Sequence, residues 1–201
     1  MSTRSIVWDL GNVLVDWSPR YLYDKIFDKP EERDRFLKEV CTMDWHNTVD
    51  AGRSTEEATD ALVKEHPDLL HPIKAFYARW KEMFQGPIGG SVELLSELKA
   101  KGFRQYALTN WSAELFEQSR PDYPFLDWFD GIVLSGAEGI TKPDPRLYLV
   151  LRDRYGIDFG SAVYIDDKEA NVETAVRLGM DGIVFQDPEA LRRDLELRGI
   201  L

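Results

Sequence analysis

The sequence predicts an α/β protein, a doubly wound parallel sheet with a helical insertion after its first strand. Three observations point there. From residue 86 to residue 185 short apolar runs alternate with helical patterns, and that alternation indicates βαβ units whose parallel sheet is covered on both faces. A run of the same buried character stands alone at residues 5–8, far ahead of its partners. Between the two lies a stretch whose pattern is almost wholly helical.

Taken in order, the first strand is Ser5-Ile6-Val7-Trp8, expected to join the same sheet as the later ones. Helices follow at 20–27, 30–41, 55–66 and 69–84. The second opens on Pro30, whose fixed φ suits a first helical turn. The third opens on Ser54-Thr55-Glu56-Glu57, a capping-box spacing in which Ser54 and Glu57 satisfy each other's free backbone donors. In the fourth, apolar residues recur at helical spacing.

A boundary falls near Gly86-Pro87-Ile88-Gly89-Gly90. Beyond it come a helix at 91–101 closed by Gly102, a strand at 105–109, a helix at 112–119 and a strand at 131–134. A helix at 145–155, a strand at 162–165, a helix at 169–178 ended by Gly179 and a strand at 182–185 complete the pattern. The chain thus divides into a core of residues 1–16 and 86–201 and a helical segment of residues 17–85. That segment is either one helical layer of the same domain or a cap over the site, and the cap is the expectation adopted.

The 201 residues suffice for one domain with a small insertion. A composition of 43% hydrophobic and 30% charged residues excludes a disordered chain. With 25 basic against 36 acidic residues the net charge is −11, which argues against nucleic acid as a general partner while leaving room for a local cationic pocket. The single Cys41 cannot form an internal disulfide, and no zinc-type spacing exists, so a reducing compartment, the cytoplasm, is expected. No segment approaches the roughly 20 apolar residues that span a bilayer, and Asp9 interrupts the first apolar run, unlike a secretion signal. A soluble protein with no membrane partner is the expectation.

Ligands of open parallel sheets bind beyond the carboxyl ends of the strands, where loops and helix amino termini converge. There the first strand carries Asp9, the second Thr109-Asn110 and the fourth Asp166-Asp167, while Lys142 lies in the loop Gly139-Ile140-Thr141-Lys142-Pro143-Asp144-Pro145. Any one Asp after a strand is ordinarily a turn former or helix cap. Three carboxylates, a hydroxyl and an ammonium together are unusual as pure structure. Clustered carboxylates repel unless a cation sits among them, and hard oxygen ligands select magnesium. Such a cation with Lys142 and Thr109 nearby suits a phosphoryl group, and Asp9 is the natural nucleophile for an aspartyl-phosphate.

These residues resemble the haloacid dehalogenase superfamily, mostly magnesium-dependent phosphatases, over nearly the whole chain. Ile6-Val7-Trp8-Asp9-Leu10-Gly11-Asn12-Val13-Leu14 is similar to its first motif and Ala107-Leu108-Thr109-Asn110 to its second. Lys142-Pro143-Asp144-Pro145 is similar to the third, and Tyr164-Ile165-Asp166-Asp167-Lys168-Glu169-Ala170-Asn171, followed by Ala175 and Leu178-Gly179-Met180, to the fourth. The resemblance implies a Rossmann-like core in which Asp9 is nucleophile and metal ligand, Thr109 binds the phosphoryl group with Asn110 beside it, and Lys142 neutralises charge. It implies Asp167 as the further magnesium ligand, ahead of Asp166, with Asn171 as the later polar group. The segment 17–85 is similar to the family's smaller cap type, which excludes water and chooses the leaving group. Trp17, Trp45, His46 and Trp111 are the candidates to line its pocket, although Trp is more often core than ligand. A small cap can also leave apolar surface for a homodimer to cover.

One departure matters. Phosphatases of this superfamily usually carry a second Asp two residues after the nucleophile, which protonates the leaving oxygen and later activates water; here that residue is Gly11. Its carbonyl can still bind magnesium, but the acid is missing, a loss typically worth on the order of 10²–10⁴ in rate. His46 or Asp16, or a magnesium-bound water, would supply the proton, or the enzyme is weak or inactive. The Asp-Leu-Gly-Asn-Val form also resembles bacterial sugar-phosphate phosphatases, including those acting on glucose 1-phosphate. The expected function is therefore hydrolysis of a small phosphomonoester, a sugar phosphate. The alternatives are a 2-haloacid dehalogenase, against which Asp166-Asp167 stand, and a phosphate-binding or partner-binding relic.

Overall fold

The computed structural model describes residues 5–201, so the first four residues of the expected 1–16 segment lie outside it. Strand β1 (Ser5–Trp8) is followed by β2 (Val15–Trp17) and by helices α1 (Pro19–Tyr23), α2 (Pro30–Glu39), α3 (Met43–Asp50), α4 (Thr55–Glu65) and α5 (Leu70–Ala78), after which β3 (Phe84–Pro87) returns toward the sheet. The remainder runs α6 (Gly89–Ala100), β4 (Arg104–Thr109), α7 (Ala113–Ser119), β5 (Gly131–Leu134), α8 (Ser135–Glu138), α9 (Pro145–Tyr155), β6 (Ala162–Asp166), α10 (Glu169–Arg177), β7 (Asp181–Val184) and α11 (Pro188–Leu197).

Five strands form one parallel sheet in the order β5-β4-β1-β6-β7. Chain direction across the sheet reverses around β1, which makes its carboxyl end the place where a crevice opens. Trp8 lies opposite Ala107 on one side and Ile165 on the other, and the Asp9 amide donates to the Ile165 carbonyl at 2.8 Å. Asp9, Thr109 and Asp166 therefore reach the same edge.

Side chains alternate between the two faces as a period-two strand requires. Ile6, Trp8, Ala107, Val163 and Ile165 pack with Leu94, Leu98, Leu191 and Leu195 of α6 and α11. Val7, Tyr106, Leu108 and Tyr164 pack with Leu147, Leu151, Val172 and Ala175 of α9 and α10. Gln105, buried on the first of these faces, is paired: the indole of Trp8 donates to its Oε1 at 2.7 Å.

Strands β2 and β3 form a separate antiparallel pair through which the chain leaves and re-enters the sheet, Val15 opposite Pro87 and Trp17 opposite Phe84. The helices between them are not detached. Val49, Ile73, Phe76 and Trp80 belong to the same apolar cluster as Ile6 and Trp8.

Several expected boundaries are corrected. The helix expected at 20–27 ends at Tyr23, and that expected at 69–84 stops at Ala78, gives way to a short 3₁₀ turn and becomes β3 from Phe84. Its terminal residues find strand partners in β2, and tertiary pairing overrides helical periodicity. The helix expected at 30–41 ends at Glu39. Helices α3 and α11 were not expected, yet each has a legible start: Thr42 Oγ1 accepts from the Trp45 amide at 3.1 Å, and Asp187 Oδ1 from the Ala190 amide at 2.7 Å with Pro188 next. Of the expected capping box, the Ser54 half forms, its hydroxyl accepting from the Glu57 amide at 3.1 Å; among the described residues no bond returns from the Glu57 side chain to the Ser54 amide.

Candidate active site

The turn after β1 is tight. Leu10 O accepts from the amides of Leu14 and Val15, and Asn12 stands at φ 57° with its amide on Val15 O and its Oδ1 on the Trp17 amide. Asn tolerates this left-handed backbone better than most residues. The turn holds Asp9 at the head of the sheet, nearly buried, with its Oδ1 accepting from the Leu10 amide at 2.7 Å.

Lys142 enters from the loop before α9 and is buried with all three ammonium protons engaged: Leu108 O at 2.8 Å, Asp166 Oδ2 at 2.6 Å and Asp9 Oδ1 at 3.0 Å. Asn110 fixes that loop, its amide nitrogen donating to Lys142 O at 3.1 Å and its oxygen accepting from Lys142 N at 2.8 Å. Asn110 was expected to bind substrate; these two bonds give it a hold on the Lys142 main chain, and it also lines the cavity over the cluster.

The two acidic residues after β6 differ. Asp166 is fully buried and accepts from Lys142, the Tyr164 hydroxyl at 2.7 Å, the Lys168 amide at 2.9 Å and Asn171 Nδ2 at 2.9 and 3.0 Å. Burial raises its pKa, but Lys142 and these donors outweigh burial and hold it below the usual carboxylate range. Asp167 is half-buried, and its carboxyl is pushed up, first by burial and then by the neighbouring Asp166 charge. Asp9 is likewise pushed up by burial and by both neighbours, with Lys142 acting against them.

Ligand oxygens of Asp9, Asp166 and Asp167 lie within 4.8 Å of one another. Three crowded carboxylates, two of them resisting ionisation, are relieved by a divalent cation taken up by hard oxygen donors. The residues present thus fit magnesium.

A cavity of about 80 Å³ opens over this cluster, room for roughly half a dozen water-sized atoms, enough for a phosphoryl group and the first atoms of its leaving group. Asp9, Gly11, Thr109, Asn110, Lys142, Asp167 and Lys168 line it on the sheet side. Asn12, Trp17, Met43, His46, Asn47, Asp50, Trp80, Phe84, Trp111 and Asn171 line the rest. Of the expected pocket residues, Trp17, His46 and Trp111 are therefore present. Trp45 is not: its indole donates to Ala58 O at 3.1 Å and its ring packs on Phe76 and Tyr77 inside the helical layer. Asp16, a candidate proton source, lies on β2 outside the cavity lining and accepts from the Tyr21 hydroxyl.

Sequence reasoning missed Asp50, Trp80, Phe84, Met43, Asn47, Asn12 and Lys168. Asn12 and Lys168 adjoin quoted motifs, and Asp50 follows His46 by one helical turn, a signal that recognising α3 makes visible. Trp80 and Phe84 carry no signal apart from their tertiary position.

The model of the haloacid dehalogenase-like hydrolase family matches residues 3–179, and the chain belongs to that family of enzymes. Among individual proteins, it is 35% identical over 201 residues to the sesquiterpene phosphatase astK of Aspergillus oryzae, covering 98% of this chain and 96% of that protein. It is 32% identical over 115 residues to flavin mononucleotide hydrolase 1 of Arabidopsis thaliana, which spans 56% of this chain and 46% of that protein. A HAD family enzyme from Bacteroides thetaiotaomicron, solved with magnesium and inorganic phosphate, shares the fold with a TM-score of 0.71 at 21% identity, over 92% of this chain and 96% of that one. No helix among the described residues is long and apolar enough to cross a membrane.

Proposed function

We propose that the protein is a magnesium-dependent phosphatase that hydrolyses a small phosphomonoester through an aspartyl-phosphate on Asp9. The observation that carries this reading is the convergence of Asp9, Lys142, Asp167 and Thr109 on one small cavity. Asp9, Asp167 and the Gly11 carbonyl would hold the metal, which when bound neutralises charge on the phosphoryl oxygens. Asp166 instead anchors Lys142, because its oxygens already accept from Lys142, Tyr164, Lys168 and Asn171. The Thr109 hydroxyl and the Lys142 charge orient the phosphoryl group, and an Asp9 oxygen attacks phosphorus as the ester oxygen departs. The helical segment 17–85 acts as the cap, its aromatic wall excluding water.

A sugar phosphate remains the substrate class favoured. The buried indole nitrogens of Trp17 and Trp111 have no partner among the described residues, and an unpaired buried donor costs about 1–3 kcal/mol, which an oxygen-bearing leaving group would offset. The relatives add two esters worth assaying, a sesquiterpene phosphate and flavin mononucleotide. A dehalogenase has no use for three carboxylates in one cluster, and a relic no reason to hold strained ones. Phosphate release from these esters in magnesium and in EDTA, with Asp9→Asn alongside, tests the reading.

A further inference from the structure

Gly11 leaves a vacancy beside Asp9. A Cβ built on it meets nothing within 4 Å, and its φ lies outside the left-handed region, so a side chain would fit where none stands. Of the titratable groups lining the cavity, Asp9 and Asp167 are assigned above, the protons of Lys142 are all engaged, and Lys168 stands on the sheet side. On the wall formed by the inserted helices two remain, His46 and Asp50, four residues apart on α3.

This pair is held from every side. Asp50 Oδ1 accepts from the Ser112 amide at 3.1 Å and its carbonyl from Ser135 Oγ at 2.6 Å, which ties it to the loop after β4 and to the first residue of α8. His46 Nε2 lies 3.6 Å from Asp50 Oδ2, and Nδ1 lies 3.2 Å from the Tyr77 hydroxyl. The Trp17 ring stacks on the imidazole at 5.4 Å, with Phe76 and Trp80 around it. Burial keeps the Tyr77 phenol protonated, and a hydroxyl can donate to a bare Nδ1 or accept from Nδ1–H, so Nδ1 keeps its partner whether the ring is charged or neutral and Nε2 carries the exchangeable proton. Burial holds the His46 imidazole below its usual range, with Asp50 acting against it and Lys168 alongside it; an incoming phosphoryl dianion adds to the side of Asp50 and favours the imidazolium once substrate is bound.

We propose that His46, positioned by Tyr77 and Asp50, is the acid and base that replaces the carboxyl absent at Gly11. The inference rests on the phosphatase reading. In the first step an Asp9 oxygen bonds to phosphorus, the bond from phosphorus to the ester oxygen breaks with its electron pair on oxygen, and the His46 imidazolium gives that oxygen its Nε2 proton. The products are the alcohol, aspartyl-phosphate and neutral His46. In the second, neutral His46 takes a proton from water as the water oxygen attacks phosphorus, and the Asp9 carboxylate leaves. Inorganic phosphate and the imidazolium result, and the net reaction is ester plus water to alcohol plus phosphate.

The test compares kcat/KM of the parent, His46→Gln, Gly11→Asp and the double variant on glucose 1-phosphate and p-nitrophenyl phosphate. A leaving group as acidic as p-nitrophenol needs no proton. We expect His46→Gln to lose about 10²–10⁴-fold on the sugar ester and under about 10-fold on the aryl ester, and Gly11→Asp added to it to restore at least about 10-fold on the sugar ester. Retained aryl activity shows that the variant is folded. Equal losses on both esters, or a double variant no better than His46→Gln, would overturn the role of His46 and leave the phosphatase reading intact. A parent inactive in magnesium on both of these esters and on the sesquiterpene phosphate and flavin mononucleotide would overturn that reading, and the role of His46 with it.

Discussion

Lys142 donates to Asp166 across 2.6 Å in a site from which both side chains exclude water. Asp9 shares the same ammonium at 3.0 Å, so Asp166 anchors the cation that faces the nucleophile. Removing one partner of a buried pair typically costs ~3–5 kcal/mol, and Asp166→Asn is expected to lose that order of stability at pH 7. Because the Asp166 pKa is depressed on folding, its contribution is present above about pH 4 and fades as pH falls further; the gap from the parent should close in acid. Asp167 is pushed the other way, so Asp167→Asn should melt no earlier than the parent while needing at least about 10-fold more magnesium for half-maximal activity. Urea melts at pH 7 and pH 3 and a magnesium titration separate the two residues.

Asn110→Ala removes both bonds to the Lys142 main chain. We expect a loss of about 1–3 kcal/mol and a fall in kcat larger than the rise in KM, because the cation is displaced and no substrate contact is lost. A change confined to KM would show that Asn110 touches substrate.

Trp45→Phe loses one hydrogen bond, to Ala58 O, inside the helical layer, worth about 1 kcal/mol, and should leave KM within about twofold. Trp111→Phe alters the cavity wall and should raise KM severalfold. Steady-state kinetics on the best ester checks both.

Cys41 is buried, and burial pushes its thiol up to about 12. The thiolate is the reactive form, so the native protein at pH 8 should react with a disulfide reagent at least about 100-fold more slowly than the urea-unfolded chain. Rapid native labelling would show that α2 and the residues after it open readily.

Much of this was legible in the sequence because the β strands of the sheet are short, mostly apolar runs, and the site residues sit at or just beyond their ends. Asp9, Thr109 and Asp166 follow from strand ends, and their meeting follows from the parallel register. Asp167 was ranked ahead of Asp166 by the resemblance alone, since the pattern of residues does not say which of two adjacent carboxylates Lys142, Tyr164 and Asn171 reach. Strands β2 and β3 escaped because a pair of three and four residues gains its order from its partner rather than from local pattern. Part of the cavity wall escaped for a related reason: Trp45 and Trp80 look alike in sequence, and only the packing of α3 against α5 decides which one faces the cavity.

The central claim is that Asp9 carries the phosphoryl group with a divalent cation beside it. Phosphate release from a panel of sugar phosphates that includes glucose 1-phosphate, together with p-nitrophenyl phosphate, tests it most directly, in magnesium and in EDTA, for the parent and for Asp9→Asn. The account predicts turnover by the parent in magnesium, loss of it in EDTA, and none by Asp9→Asn although that variant melts like a folded protein. Turnover that survives EDTA, or an Asp9→Asn variant as active as the parent, would contradict it.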